Sequence, residues 1–176
     1  MPGRYAMIKD DAQRIEDLDD EDPGVKIADG DFELLDVSGD VGIRVRAESL
    51  QELFVKAGLA CSALMIDPLG VLDAVTMEVH AGAESEDKTR ADAGTLEELL
   101  VAWLNELIYR FDAEGFIGRR ITVLEFSPAR IATAVAGQYY DPLIHTPGLL
   151  VKAATHHGLK ILKINDTYVA DIVLDI

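Results

Sequence analysis

A chain of 176 residues, 49% of them hydrophobic, is long enough for one domain with a substantial core. Asp and Glu outnumber Lys and Arg by 32 to 16, a formal net charge of −16, which disfavours direct nucleic-acid binding and suits solubility, a basic protein partner or a cation. No apolar run is long enough to span a bilayer, the N-terminus lacks the apolar stretch of a signal peptide, and the lone Cys61 cannot form an internal disulfide. The chain is therefore expected in the cytoplasm, away from membranes.

Residues 1–30 hold nine acids and four bases, including the run EDLDDEDPG, with no sustained amphipathic period. Such a composition cannot bury a face, so the segment reads as an acidic flexible tail before a single domain over residues 31–176. In VSGDVGIRV, residues 37–45, the alternation Val41, Ile43, Val45 predicts a strand, with Asp40 on the turn that opens it. SLQELFVKAGLACSALMI then predicts a helix, with Ser49 and Glu52 as a capping box. Its apolar stripe runs from Leu50 to Met65 and includes Cys61, which is expected to be a buried, inert thiol.

AVTMEVHAGA alternates as a strand, and AESEDKTRADAG, residues 83–94, is a polar loop. TLEELLVAWLNELIYRF repeats the capping device with Thr95 and Glu98 and carries a second apolar stripe around Trp103. RRITVLEF and RIATAVAGQYY are predicted as a hairpin turning at Ser127–Pro128. GLLVKAATHHGLKILKI and TYVADIVLDI flank Asn165–Asp166, a second hairpin signal. The order β-β-α-β-α followed by four strands predicts an α+β domain, a largely antiparallel sheet packed with two main helices.

No nucleophile elbow, Gly-rich phosphate loop, HExxH or CxxC is present, so no catalytic residues are assigned. His80 falls on the polar face of a strand. His156 and His157 would point to opposite faces of one strand and could not chelate together unless Gly158 bulged it. In the last strand Tyr168, Ala170, Ile172, Leu174 and Ile176 share an apolar face, leaving Asp171 and Asp175 on the other. Two carboxylates such as Asp40 and Asp175, joined by backbone carbonyls, would suit Ca²⁺ or Mg²⁺, but spacing cannot bring these distant positions together.

Five ordered motifs carry a resemblance to the archease family. Val37-Ser38-Gly39-Asp40-Val41-Gly42-Ile43 stands where archeases have His-Thr-Ala-Asp-Val-Gly-Ile. Trp103-Leu104-Asn105-Glu106-Leu107 matches their Trp-Leu-x-Glu-Leu, and Gly137, Asp141 and His145 match Gly-x-x-x-Asp-x-x-x-His. Lys152 to His157 resembles Lys-Ala-x-Thr-Tyr-His, and the chain closes on Asp175-Ile176 as archeases close on Asp-Ile or Asp-Val. The chain departs from the pattern at Val37 (a His in the family), Leu150 (an acid) and His156 (an aromatic).

The resemblance implies an archease-like fold in which Asp40, Asp175 and the backbone of Ile176 bind a divalent cation, calcium above all, with Mg²⁺ or Mn²⁺ as other choices. It implies a non-enzymatic protein that promotes guanylylation and turnover of an RtcB-type 3′-phosphate RNA ligase in tRNA splicing or RNA repair. His145, Lys152 and His157 then belong to a partner-contact or structural motif. Two other readings remain open: a divergent metal-binding interaction module without a ligase partner, and a metal-dependent enzyme using Asp40, Asp175, Lys152 and His145.

Overall fold

The computed structural model describes residues 25–26, 32–82 and 94–176. The predicted polar loop lies outside them, except for Gly94. So does the predicted tail, apart from Val25–Lys26, which form a short strand (β1). The order continues β2 (Phe32–Val37), β3 (Asp40–Ala47), α1 (Leu50–Met65), β4 (Val75–Gly82), α2 (Leu96–Glu114), β5 (Phe116–Ser127), β6 (Arg130–Tyr139), β7 (Ala153–Thr155), β8 (Ile161–Ile164) and β9 (Thr167–Asp175).

The architecture is α+β, and every strand pair is antiparallel. The strands divide into two sheets, one ordered β1-β5-β6-β4 and the other β2-β3-β9-β7, with β8 also on β9. Both helices lie between the sheets, α1 touching β3 and β5 and α2 touching β4 and β7. A helix covered on two sides is apolar beyond one stripe, which explains why Val55, Leu59 and Ala60 are buried in α1 along with Leu53, Phe54, Ala57, Cys61 and Met65 of the predicted stripe, whose Leu50 and Leu64 are half-buried.

Close packing of the helices depends on Gly58, where a Cβ would fall 2.3 Å from Trp103 Cη2. Trp103 and Phe54 are fully buried, each contributing roughly 1.5–3 kcal/mol of hydrophobic stabilisation. The α2 cap is the predicted reciprocal box: Glu98 N–H donates to Thr95 Oγ1 at 3.2 Å, and Thr95 N–H donates to Glu98 Oε2 at 2.7 Å. At α1 only half forms. Glu52 N–H donates to Ser49 Oγ, but the Glu52 carboxylate accepts from Glu48 N–H instead of returning to Ser49.

One predicted strand is corrected. Residues 148–164 do not run as a single strand; β7 and β8 pair separately with β9, and the chain between them turns at Gly158, whose φ is +66°. The last hairpin forms as expected, with Asn165 and Asp166 both at positive φ, the backbone that a two-residue type I′ turn requires.

Candidate functional site

Asp40 is the first residue of β3. It follows the two-residue turn Ser38–Gly39, and Gly39 supplies a φ of +84° that residues with a Cβ rarely adopt. Asp175 ends β9, paired on one side with Ala153 of β7. The β3–β9 ladder runs from Ala47–Tyr168 to Val41–Leu174, so Asp40 and Asp175 are the next residues of the two strands beyond its last pair.

Both acids point to the face of the sheet turned away from the helices. Ile43, Val45, Ile172 and Leu174 are fully buried on the helix side, so the alternate residues Asp40, Arg44, Asp171 and Asp175 line the opposite face. The two carboxylates are half-buried.

Lys152 joins them from the segment before β7. Its backbone N–H donates to Asp175 O at 2.8 Å, and its ammonium donates to the main-chain oxygen of Ile176 at 2.9 Å. Asp40, Asp175, Ile176 and Lys152 thus gather at one end of the outer sheet face. Among the described residues no three His, Cys, Asp or Glu side chains cluster in a way that could hold a metal. The oxygens present are hard donors of the kind calcium and magnesium take, fewer than calcium's usual six to eight or so, so water would have to complete the shell.

The histidines lie elsewhere. His157 is exposed in the turn after β7, beside the equally exposed His156, and its N–H donates to Thr155 Oγ1 at 3.4 Å. His145 is buried: Nδ1 accepts from Asp141 N–H at 2.9 Å, Nε2 meets the Gln138 side-chain amide, and the ring stacks on Tyr140. Gln138 Oε1 in turn accepts from Leu72 N–H at 2.9 Å, so His145 ties the loop after α1 to the loop after β6. This set does not bring His145 to the Asp40–Asp175 end of the sheet by any of its contacts.

Val37, which replaces the family's His, pairs directly with Asp40 across the hairpin. An apolar side chain there gives Asp40 no hydrogen-bond partner from β2.

Two features escape the sequence reading. The outer sheet face carries a groove of about 600 Å³ lined by Arg44, Arg46, Lys160, Leu162, Ile164 and Asp171, among others. Arg44 binds Asp171 through two 2.6 Å hydrogen bonds, and Arg46 pairs with Glu33. The hydrogen bond and charge of Arg44 hold the Asp171 carboxyl below its ordinary range, against the opposing effect of partial burial. The signal was present, since Arg44 and Arg46 alternate with buried Ile43 and Val45 and so share a face with Asp40. The other feature is a set of exposed aliphatic side chains, Leu69 and Leu72 after α1 and Leu143 and Ile144 after β6.

Residues 32–176 match the archease protein family. The archease of Methanopyrus kandleri is 30% identical over 148 residues, covering 82% of this chain and 99% of that protein. That of Pyrobaculum neutrophilum is 34% identical over 150 residues, covering 83% and 95%. The solution structure of protein 1598 from Methanobacterium thermoautotrophicum superposes with a TM-score of 0.60 at 26% identity, covering 83% of this chain and 99% of that one. A Thermotoga maritima crystal structure, described as an archease and possible chaperone, shares the fold with a TM-score of 0.52 at 18% identity, covering 82% and 96%. Across nearly the whole length of these relatives, and with the same α+β architecture, the chain belongs to the archease family.

Proposed function

We propose that this protein is a non-enzymatic cofactor that promotes guanylylation and turnover of an RtcB-type RNA ligase in tRNA splicing or RNA repair. The observation that supports the reading is the β3–β9 register, whose last pair, Val41–Leu174, adjoins Asp40 on one strand and Asp175 on the other, in a chain of this family. Asp40, Asp175 and the main-chain oxygen of Ile176 would hold a divalent cation, with calcium favoured over Mg²⁺ or Mn²⁺. Such an ion supplies neutralisation of phosphoryl charge when bound.

The chain's own residues do the rest. Lys152 donates from its ammonium to the main-chain oxygen of Ile176 at 2.9 Å and so restrains the residue next to Asp175. A net charge of −16 draws the protein toward the basic RNA channel of a ligase and away from RNA itself, an attraction that salt screens. Action through another protein also accords with the description of the Thermotoga relative as a possible chaperone.

Val37 favours a second reading, in which the protein keeps the fold and the cation but has no ligase partner. One assay separates the two. Covalent GMP on the ligase from the same source is followed under multiple-turnover conditions, with wild type, with Asp40→Ala and with neither. Stimulation by wild type alone is expected. No stimulation at any salt concentration, from protein that still binds calcium, would replace the first reading with the second.

A further inference from the structure

Asp175 is held in place by β7. The β3–β9 ladder ends at Val41–Leu174, one residue short of it, whereas the β7–β9 ladder continues to Ala153–Asp175. Lys152, just ahead of β7, adds a hydrogen bond from its N–H to Asp175 O at 2.8 Å and another from its ammonium to Ile176 O at 2.9 Å. The placement of this acid, and of the main chain beside it, therefore depends on a strand of only three residues.

So short a strand has little pairing of its own, and β7 ends the sheet order β2-β3-β9-β7. A strand at a sheet edge leaves one row of main-chain groups without a strand partner. In β7 a side chain meets that row. Ala154, which faces Leu174 across the ladder, donates its N–H to Asn105 Oδ1 at 2.8 Å, and its carbonyl accepts from Asn105 Nδ2 at 3.2 Å.

The residue type is the one this contact demands. A primary amide carries a donor and an acceptor side by side, as a peptide group does, so it can stand in for a missing strand at one residue. Aspartate would offer acceptors only, and leucine neither. Asparagine is a weaker helix former than alanine or leucine, yet it sits within α2, half-buried beside buried Leu104, Leu107 and Ile108. The stability of α2 does not call for it there; the contact with β7 does. Glu97, in the first turn of the same helix, makes a comparable contact elsewhere. Its Oε1 accepts from Ile161 N–H at 2.9 Å and so holds β8, which pairs with residues 167–170 at the other end of β9.

We propose that Asn105 is a positioning residue for the candidate cation site. It fixes β7 against α2, and β7 in turn fixes Asp175, Lys152 and the main chain of Ile176. The proposal rests on the cation reading above and adds the group that keeps those donors preorganised. Donors already ordered in the folded protein bind an ion more tightly, because less freedom is lost when it arrives.

The test compares full-length wild type, Asn105→Ala, Asn105→Leu, Glu97→Ala and Asp40→Asn by calcium titration calorimetry, with amide hydrogen exchange followed at Lys152. Both Asn105 replacements are better helix formers, so α2 itself is not weakened. Calcium Kd is expected to rise about tenfold in each, the scale set by the loss of two hydrogen bonds, and the Lys152 amide to exchange faster. Glu97→Ala should keep the wild-type Kd and Lys152 exchange. Asn105 variants with wild-type Kd, while Asp40→Asn loses binding, overturn the positioning role and leave the cation site standing. An equal rise in Kd in Glu97→Ala would mark a general loosening of the sheet and also overturn it. A wild type that binds none of calcium, magnesium and manganese removes the cation site and the proposal together.

Discussion

Gly58→Ala is expected to destabilise the protein, although alanine is the better helix former. In an ordinary helix interior the exchange gains about 1 kcal/mol, from propensity and from the unfolded chain's reduced freedom. Here the new methyl would stand 2.3 Å and 2.6 Å from Trp103 Cη2 and Cζ3, and 2.8 Å from Leu107 Cδ1. Carbon atoms prefer a separation of roughly 3.5–4.0 Å, so α1 and α2 must part by more than an ångström locally. Trp103 has no room to yield, being fully buried and packed against Phe54 with ring centroids 6.3 Å apart. Overpacking of this kind costs about 1–3 kcal/mol. With contacts this short the clash outweighs the propensity gain, leaving a net loss of up to about 2 kcal/mol, or several degrees of melting temperature for a chain of this size. The assay is urea unfolding of Gly58→Ala in wild-type and Trp103→Phe backgrounds. Phe lacks the outer ring atoms that collide, so the cost should shrink there. Stabilisation by Gly58→Ala, or an equal cost in both backgrounds, would refute the packing argument.

Two further predictions concern single groups. Asp171, whose folded carboxyl is held below its ordinary range by Arg44, contributes stability that is present above the unfolded value near pH 4 and lost as pH falls through the folded one. Asp171→Asn should melt slightly below wild type at pH 7, with the difference vanishing under acid; the effect is small because both partners are partly solvated, and a difference that persists at low pH would contradict it. Burial pushes the Cys61 thiol up to about 12, so native protein should resist a thiol reagent at neutral pH and react in stoichiometric amount once unfolded.

Local chemistry made much of this fold legible. Ser49 and Thr95 announced the helix starts, and Asn165–Asp166 announced the last hairpin, because caps and turns are decided by side chains within a few residues. The division into two sheets was not legible, since strand partners are chosen by long-range packing around α1 and α2. Residues 148–164 looked like one strand because their composition is suitably apolar, yet Gly158 breaks it with a left-handed turn. In the site, alternation assigned Asp175 to the polar face of β9, but only the register could bring it to the same end of the β3–β9 ladder as Asp40. The exposed leucines were hidden for the opposite reason: an apolar residue in a Pro-containing loop carries no sign of whether it is covered.

The most direct test of the account is calcium binding by wild type, Asp40→Asn and Asp175→Asn, read as the shift in melting temperature between calcium and chelator. A ligand at a hundred times its Kd stabilises the native state by about 2.7 kcal/mol, which for a chain of this length is a rise of roughly 5–10 °C. Wild type should show that rise and both variants should lose most of it, because each removes half of the carboxylate pair that the β3–β9 register brings together. Equal shifts in all three proteins, or none in wild type at saturating calcium, magnesium and manganese, would contradict a cation site at Asp40 and Asp175.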